Sequence, residues 1–193
     1  MKRIYILIVL FYIILPLKSQ VYLGMRDNRF GFVGYNFSNN ITVSLEHSVF
    51  SEKLNYQQIK ALFGYNRNYN HLLLDANIYG GLNYSNYWIS GVKLKGIYEL
   101  IDKFKFKGVI NPHYDSGYKF SFCYELGMLY DIHNDIALLL QYTDIPVYRM
   151  SEKSFQIGAL IRVKNLSVQP ILSIPQHGLK RDIRVLNSFK YTF

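Results

Sequence analysis

"FSFCYELGMLYD", residues 120–131, alternates from end to end. Phe120, Phe122, Tyr124, Leu126, Met128 and Tyr130 share one parity, and Ser121, Cys123, Glu125, Gly127, Leu129 and Asp131 share the other. Successive side chains of a β-strand point to opposite faces, so the stretch reads as a strand with one greasy face and one mostly polar face. A helix would need apolar residues repeating at three- and four-residue spacings, and none is sustained.

The same period runs outward in both directions. "LLLDANIYGGLNY" (72–84), "WISGVKLKGIYEL" (88–100) and "FKFKGVINPHYD" (104–115) each set Leu, Ile, Tyr, Phe or Trp against Asp, Asn, Lys or Glu. Strands are expected at about 21–26, 29–37, 41–49, 56–66, 71–84, 88–100, 104–114, 119–131, 135–146, 154–164, 166–174 and 183–193. Most of these approach the roughly 9–11 residues that a tilted strand needs to cross a bilayer. That is twelve strands, or ten if the first hairpin, turning at Asp27-Asn28, does not form. The connections fall into two sets. One end receives "SNN", "NRNYN", "IDK", "IHND" and "KN"; the other receives "DN", "SEKLN", "SNY", "DSGY", "VYRMSEK" (147–153) and "PQHGLKRD" (175–182). The second set holds the longest connections, in the manner of barrels with short periplasmic turns and longer outer loops.

The chain opens differently. In "MKRIYILIVLFYIILPLKSQ", Lys2 and Arg3 form a basic segment, Ile4 to Leu15 an apolar run, and Ser19 a small residue. This is the layout of a secretory signal peptide, expected over residues 1–19, with the barrel domain over 20–193. Removing Lys2, Arg3 and Lys18 lowers the formal charge from +9 to +6. Cys123 is the only cysteine, so no disulfide framework forms within the chain.

Alternation alone does not say which face is inside, because a soluble β-sandwich or barrel alternates too. Three features favour a membrane. Aromatic residues sit near the ends of the apolar faces, as at Tyr84, Trp88, Tyr98, Phe104, Tyr114, Phe120, Tyr130 and Tyr142, where interfacial girdles lie. The strands are many and lack long crossovers, which suits an up-and-down meander closed on itself. The chain also ends on "NSFKYTF" (187–193), with Phe189, Tyr191 and Phe193 at one parity. This ending resembles the C-terminal signature by which the bacterial assembly machinery recognises outer-membrane β-barrels. The resemblance implies an all-β, closed, antiparallel, up-and-down transmembrane barrel in the outer membrane. It implies outer-membrane lipid, lipopolysaccharide and the barrel-assembly machinery as partners, and Phe189, Tyr191 and Phe193 as the assembly signal.

With greasy faces outward, the lumen receives the basic residues Lys60, Lys93, Lys95, Lys105, Lys107, Arg162, Lys164, Arg184 and Lys190, and the acidic residues Glu46, Asp75, Glu99, Asp115 and Glu125. Lys93, Lys95, Lys105 and Lys107 fall on two neighbouring strands as a cationic patch. Lysine and arginine rings can select anions, so one reading is a small passive channel for anionic solutes. The other is a structural barrel filled by paired charges, since wide aqueous channels need about 16–18 strands.

Two further activities merit weighing. In "NPHYDSG", His113 and Asp115 share a strand face about 6.5–7 Å apart, with Ser116 adjacent. That pairing suggests a rim hydrolase, with His113 as base and Asp115 to orient it. The basic outer loops suggest a surface that holds lipopolysaccharide or glycan. There is no HExxH or CxxC spacing for a metal and no nucleotide-binding glycine loop, so no cofactor is expected. Regular strands behind an export signal also argue against nucleic acid as a partner.

Overall fold

The structure, a computed structural model, describes residues 20–193 apart from 29, 38–39, 49–57, 84–86, 118, 148–149 and 177–182. The expected signal peptide and most of "PQHGLKRD" lie outside the described residues. Twelve strands follow in order: β1 (Gln20–Arg26), β2 (Phe30–Asn36), β3 (Ile41–Ser48), β4 (Gln58–Tyr69), β5 (Leu72–Asn83), β6 (Trp88–Ile101), β7 (Phe104–Asp115), β8 (Lys119–His133), β9 (Ile136–Val147), β10 (Met150–Val163), β11 (Leu166–Pro175) and β12 (Arg184–Thr192). Each pairs antiparallel with its sequence neighbours, and β1 pairs β12, so the sheet closes without an edge.

Turn chemistry sets the hairpins. Asp27 and Asn28 take left-handed φ values of 54° and 56°, as do Asn40 (67°) and Asn70 (49°). Asn and Asp tolerate that region because their short polar side chains bond locally. The first hairpin therefore forms. Four connections at the other end shrink to two residues, at Asn70-His71, Asp102-Lys103, Asn134-Asp135 and Lys164-Asn165. Each of those turns is stitched to the following hairpin: His71, Lys103, Asp135 and Asn165 carbonyls accept from the amides of Glu99, Asp131, Arg162 and Thr192 at 2.8, 2.8, 2.8 and 3.0 Å. The repeated offset reflects the stagger that tilts the strands.

One connection departs from expectation. Apart from residues 148–149, "VYRMSEK" is strand and not outer loop: β9 runs to Val147 and β10 starts at Met150, in the register Met150↔Val147 and Lys153↔Asp144. Antiparallel pairing continues through the segment because each added pair satisfies backbone groups that a loop would leave to water.

The greasy faces point outward. Ile78, Leu126 and Val185 are 58%, 60% and 62% exposed, while Val109, Ala137 and Leu139 on the inner side are 3%, 1% and 2% exposed. Aromatic rings pair along the outer surface near both ends, Trp88 with Tyr114 (5.1 Å between centroids) at one and Phe104 with Tyr130 (6.5 Å) at the hairpin-turn end. Glycines on the inner face make room for rings. A Cβ at Gly34 would run into the Tyr22 ring, and one at Gly91 into the Tyr79 ring.

The interior is not uniformly polar. Leu129, Ala137, Leu139 and Ile171 form an apolar cluster inside the barrel, with Ile97, Leu160 and Leu186 packed against it. It draws on β6 and on β8 to β12, so it fills part of the lumen.

Candidate functional site: a charged lumen

Register decides which inward charges meet. Arg26 stands opposite Phe30, and Glu46 lies between Phe32 and Lys60 in adjoining strands. The Arg26 guanidinium therefore reaches the Glu46 carboxylate at 3.0 Å, and Lys60 Nζ approaches the same carboxylate at 3.8 Å. Both cations also sit over aromatic rings: Arg26 lies 5.0 Å from the centre of Phe30, and Lys60 lies 5.3 Å from that of Tyr79. Tyr79 is oriented by its hydroxyl, which donates to Asn111 Oδ1 at 2.9 Å. One buried carboxylate thus serves two cations.

A second network crosses β7 to β11. Lys107 faces Gly127 across the ladder and Gly127 faces Gln141, so a residue without a side chain stands between Lys107 and Gln141. Lys107 Nζ donates to Glu125 Oε2 at 2.8 Å and to Gln141 Oε1 at 2.9 Å. Gln141 donates in turn to Gln156 Oε1 at 2.6 Å, and Gln156 to Ser173 Oγ at 3.3 Å. Thr143 and Ser154 hydroxyls bond at 2.9 Å beside them. This wall is buried, neutral and internally satisfied, so it presents amide and hydroxyl surface without net charge.

At the hairpin-turn end Lys105 pairs with Asp131 at 2.5 Å. Asp75 is engaged by its neighbour Asn77, which donates to it at 2.6 Å. Glu99 stands opposite Lys105 in register. The four-lysine patch expected from the sequence accordingly divides. Lys105 and Lys107 are paired, whereas Lys93 and Lys95 have no described carboxylate within 4.0 Å. Lys190, on the far side of the barrel, shares that state and rests 4.0 Å above the Tyr22 ring.

These three lysines line one cavity of about 470 Å³, together with Arg26, Phe30, Phe32 and Gln156. A second cavity of about 300 Å³ at the hairpin-turn end is lined by Arg162, Lys164, Lys190 and Phe193. Lys190 borders both, so the two spaces adjoin at its side chain. Arg184 lines the larger cavity, and Arg162 donates to the Asn134 carbonyl at 3.4 Å. Lys164 lies in the β10–β11 turn, exposed and at a φ of 51°, rather than in a strand wall.

The rim residues are wired differently from a catalytic triad. His113 Nδ1 lies 3.2 Å from the Asn111 carbonyl and 3.8 Å from Cys123 Sγ. Asp115 accepts the Gly117 amide at 2.7 Å, and Ser116 Oγ accepts the Trp88 amide at 3.1 Å. These bonds secure a strand end and its turn. They do not set a nucleophile against a base and an orienting group. Among the described residues no group of three or more His, Cys, Asp or Glu could hold a metal ion.

Sequence reasoning did not single out Arg26, Asp131 or the Gln141–Gln156 wall. Arg26 was findable, since it shares parity with Tyr22 and Gly24 against the apolar Val21, Leu23 and Met25.

No family model and no curated protein matches the sequence. Solved structures do resemble the fold. A KdgM porin in complex with disordered oligogalacturonate aligns with a TM-score of 0.64 at 11% identity, covering 91% of this chain and 99% of that one. A NanC porin aligns at 0.52 and 11%, covering 90% and 97%, and an outer membrane channel from Pseudomonas putida F1 at 0.54 and 13%, covering 93% and 97%. At these identities the likeness is one of architecture: a closed, antiparallel, twelve-strand barrel of the outer-membrane porin type.

Proposed function

We propose that this chain is a small passive channel of the bacterial outer membrane whose lumen favours anionic solutes. The observation that carries the reading is the set Lys93, Lys95 and Lys190, three cations without a described carboxylate partner on the walls of one cavity. Fixed unpaired cations attract anions and repel cations in a confined space. Arg162 and Lys164 at the adjoining cavity extend the positive field toward the hairpin-turn mouth.

The membrane placement is supported by the exterior. Leu, Ile, Phe and Tyr side chains are exposed on every side of the barrel, far beyond the apolar patches of a few hundred Å² that soluble monomers tolerate. Residues 1–19 serve in this reading as a removable export signal. Outer-membrane lipid and lipopolysaccharide surround the girdles, and Phe189, Tyr191 and Phe193 present the ending to the assembly machinery. The KdgM porin of similar fold is seen in complex with disordered oligogalacturonate, which supports an anionic solute for this lumen.

Planar-bilayer recording of the purified protein tests the reading. Discrete conductance with a reversal potential displaced toward that of chloride in a potassium chloride gradient is expected. Absence of any conductance would overturn it.

A further inference from the structure

The cavity has more than charge on its walls. Phe30 and Phe32, both on β2, face inward and line it beside the three unpaired lysines. Phe32 is held by a tilted contact with Tyr22 (6.1 Å, 59°) and by the space over Gly24, where a Cβ would meet the ring. The wall around to β10 and β11 is the neutral amide and hydroxyl surface of Gln156 and Ser173. Phe30 already lies beneath Arg26 and Lys60, which leaves the partly exposed Phe32 ring as apolar surface facing the cavity, and such surface is unfavourable against water alone.

From this juxtaposition we infer that the mid-barrel cavity is a binding site for an organic anion whose carboxylate is carried on a flat apolar ring, of the benzoate type. The inference rests on the channel reading and names the solute class for that same site. The carboxylate meets Lys93 and Lys95 with Lys190 adding positive charge from β12, and the ring lies against Phe32, where aromatic surfaces pair offset or edge to face. The volume of about 470 Å³ falls within the roughly 300–1,000 Å³ usual for small-molecule pockets. The neutral wall confines the solute without trapping it by charge, as passage requires.

Titration calorimetry on the detergent-solubilised barrel reads the site whether or not the channel conducts. Benzoate is expected to bind about 10-fold more tightly than acetate or galacturonate. Phe32→Leu should abolish that preference, Phe32→Tyr should keep it, and Lys95→Gln should weaken all three acids alike. Equal binding of benzoate and acetate to the wild type overturns the inference, and that comparison decides alone if Phe32→Leu does not fold. So does a preference that survives Phe32→Leu, or equal binding of galacturonate and benzoate. In parallel bilayer recordings, benzoate block without the preference in calorimetry also counts against the site. Benzoate preference in a protein with no conductance leaves the site standing and removes the channel.

Discussion

The amide of Phe193 donates to the carbonyl of Val21 at 2.9 Å, joining the last residue of the chain to the first strand of the barrel. Tyr191 pairs with Leu23 in the same ladder, and its ring meets that of Phe193 edge-on at 4.9 Å. Closure and the outward aromatic ending are one structure.

Deleting Phe193, or changing it to Asp, should therefore impair assembly far more than a terminal change on an ordinary surface. It removes a closing hydrogen bond and a ring that is 65% exposed on the outer face. The check is the heat-modifiable fraction recovered from outer membranes, expected to fall several-fold; an unchanged fraction would count against the assembly role.

Charge selectivity should follow pairing, not lysine number. Lys95→Gln removes a cation with no described carboxylate partner and should lower the anion-to-cation permeability ratio. The double change Lys107→Gln with Glu125→Gln removes a bonded pair of zero net charge and should leave the ratio near wild type. Reversal potentials in a salt gradient separate the two.

Glu46 is 6% exposed and is shared by Arg26 and Lys60, with Asp27 also 3.7 Å from the Arg26 guanidinium. Glu46→Gln should raise the anion preference while costing about 1–3 kcal/mol of stability, since Lys60 loses its carboxylate and Arg26 keeps only Asp27. Reversal potential and urea unfolding in detergent should move in those opposite senses.

Gly91→Ala places a methyl group where the Tyr79 ring lies, and His113 closes the other side. The ring must leave Asn111 or the strand must shift, at a cost of about 1–3 kcal/mol. Gly108→Ala, on the outer face with nothing within 4 Å of the added Cβ, is the control and should be nearly neutral.

Much of the architecture is legible along the chain because its causes are local. Phe120 to Tyr130 alternates, and β8 forms there with those residues outward. Asp27-Asn28 and Asn70-His71 sit at hairpin turns, with left-handed φ at Asp27, Asn28 and Asn70. "VYRMSEK" is misleading because its charged residues suggest a loop, while antiparallel pairing holds Val147 and residues 150–153 in strand.

Side-chain period and turn chemistry depend on neighbours in sequence, so the chain by itself determined an up-and-down barrel of twelve or ten strands and which residues share the greasy face, and the structure settled the count at twelve. The tertiary structure alone decided how the lumen charges are used. Lys107 finds Glu125 and then Gln141 across Gly127, while Lys95, although opposite Asp75 in the ladder, has no described carboxylate within 4.0 Å. Those outcomes hang on stagger between strands, on the length of each side chain and on an apolar cluster that crowds one side of the interior. A one-strand pattern contains none of these, because the lumen pairs Arg26–Glu46, Lys105–Asp131 and Lys107–Glu125 form between strands.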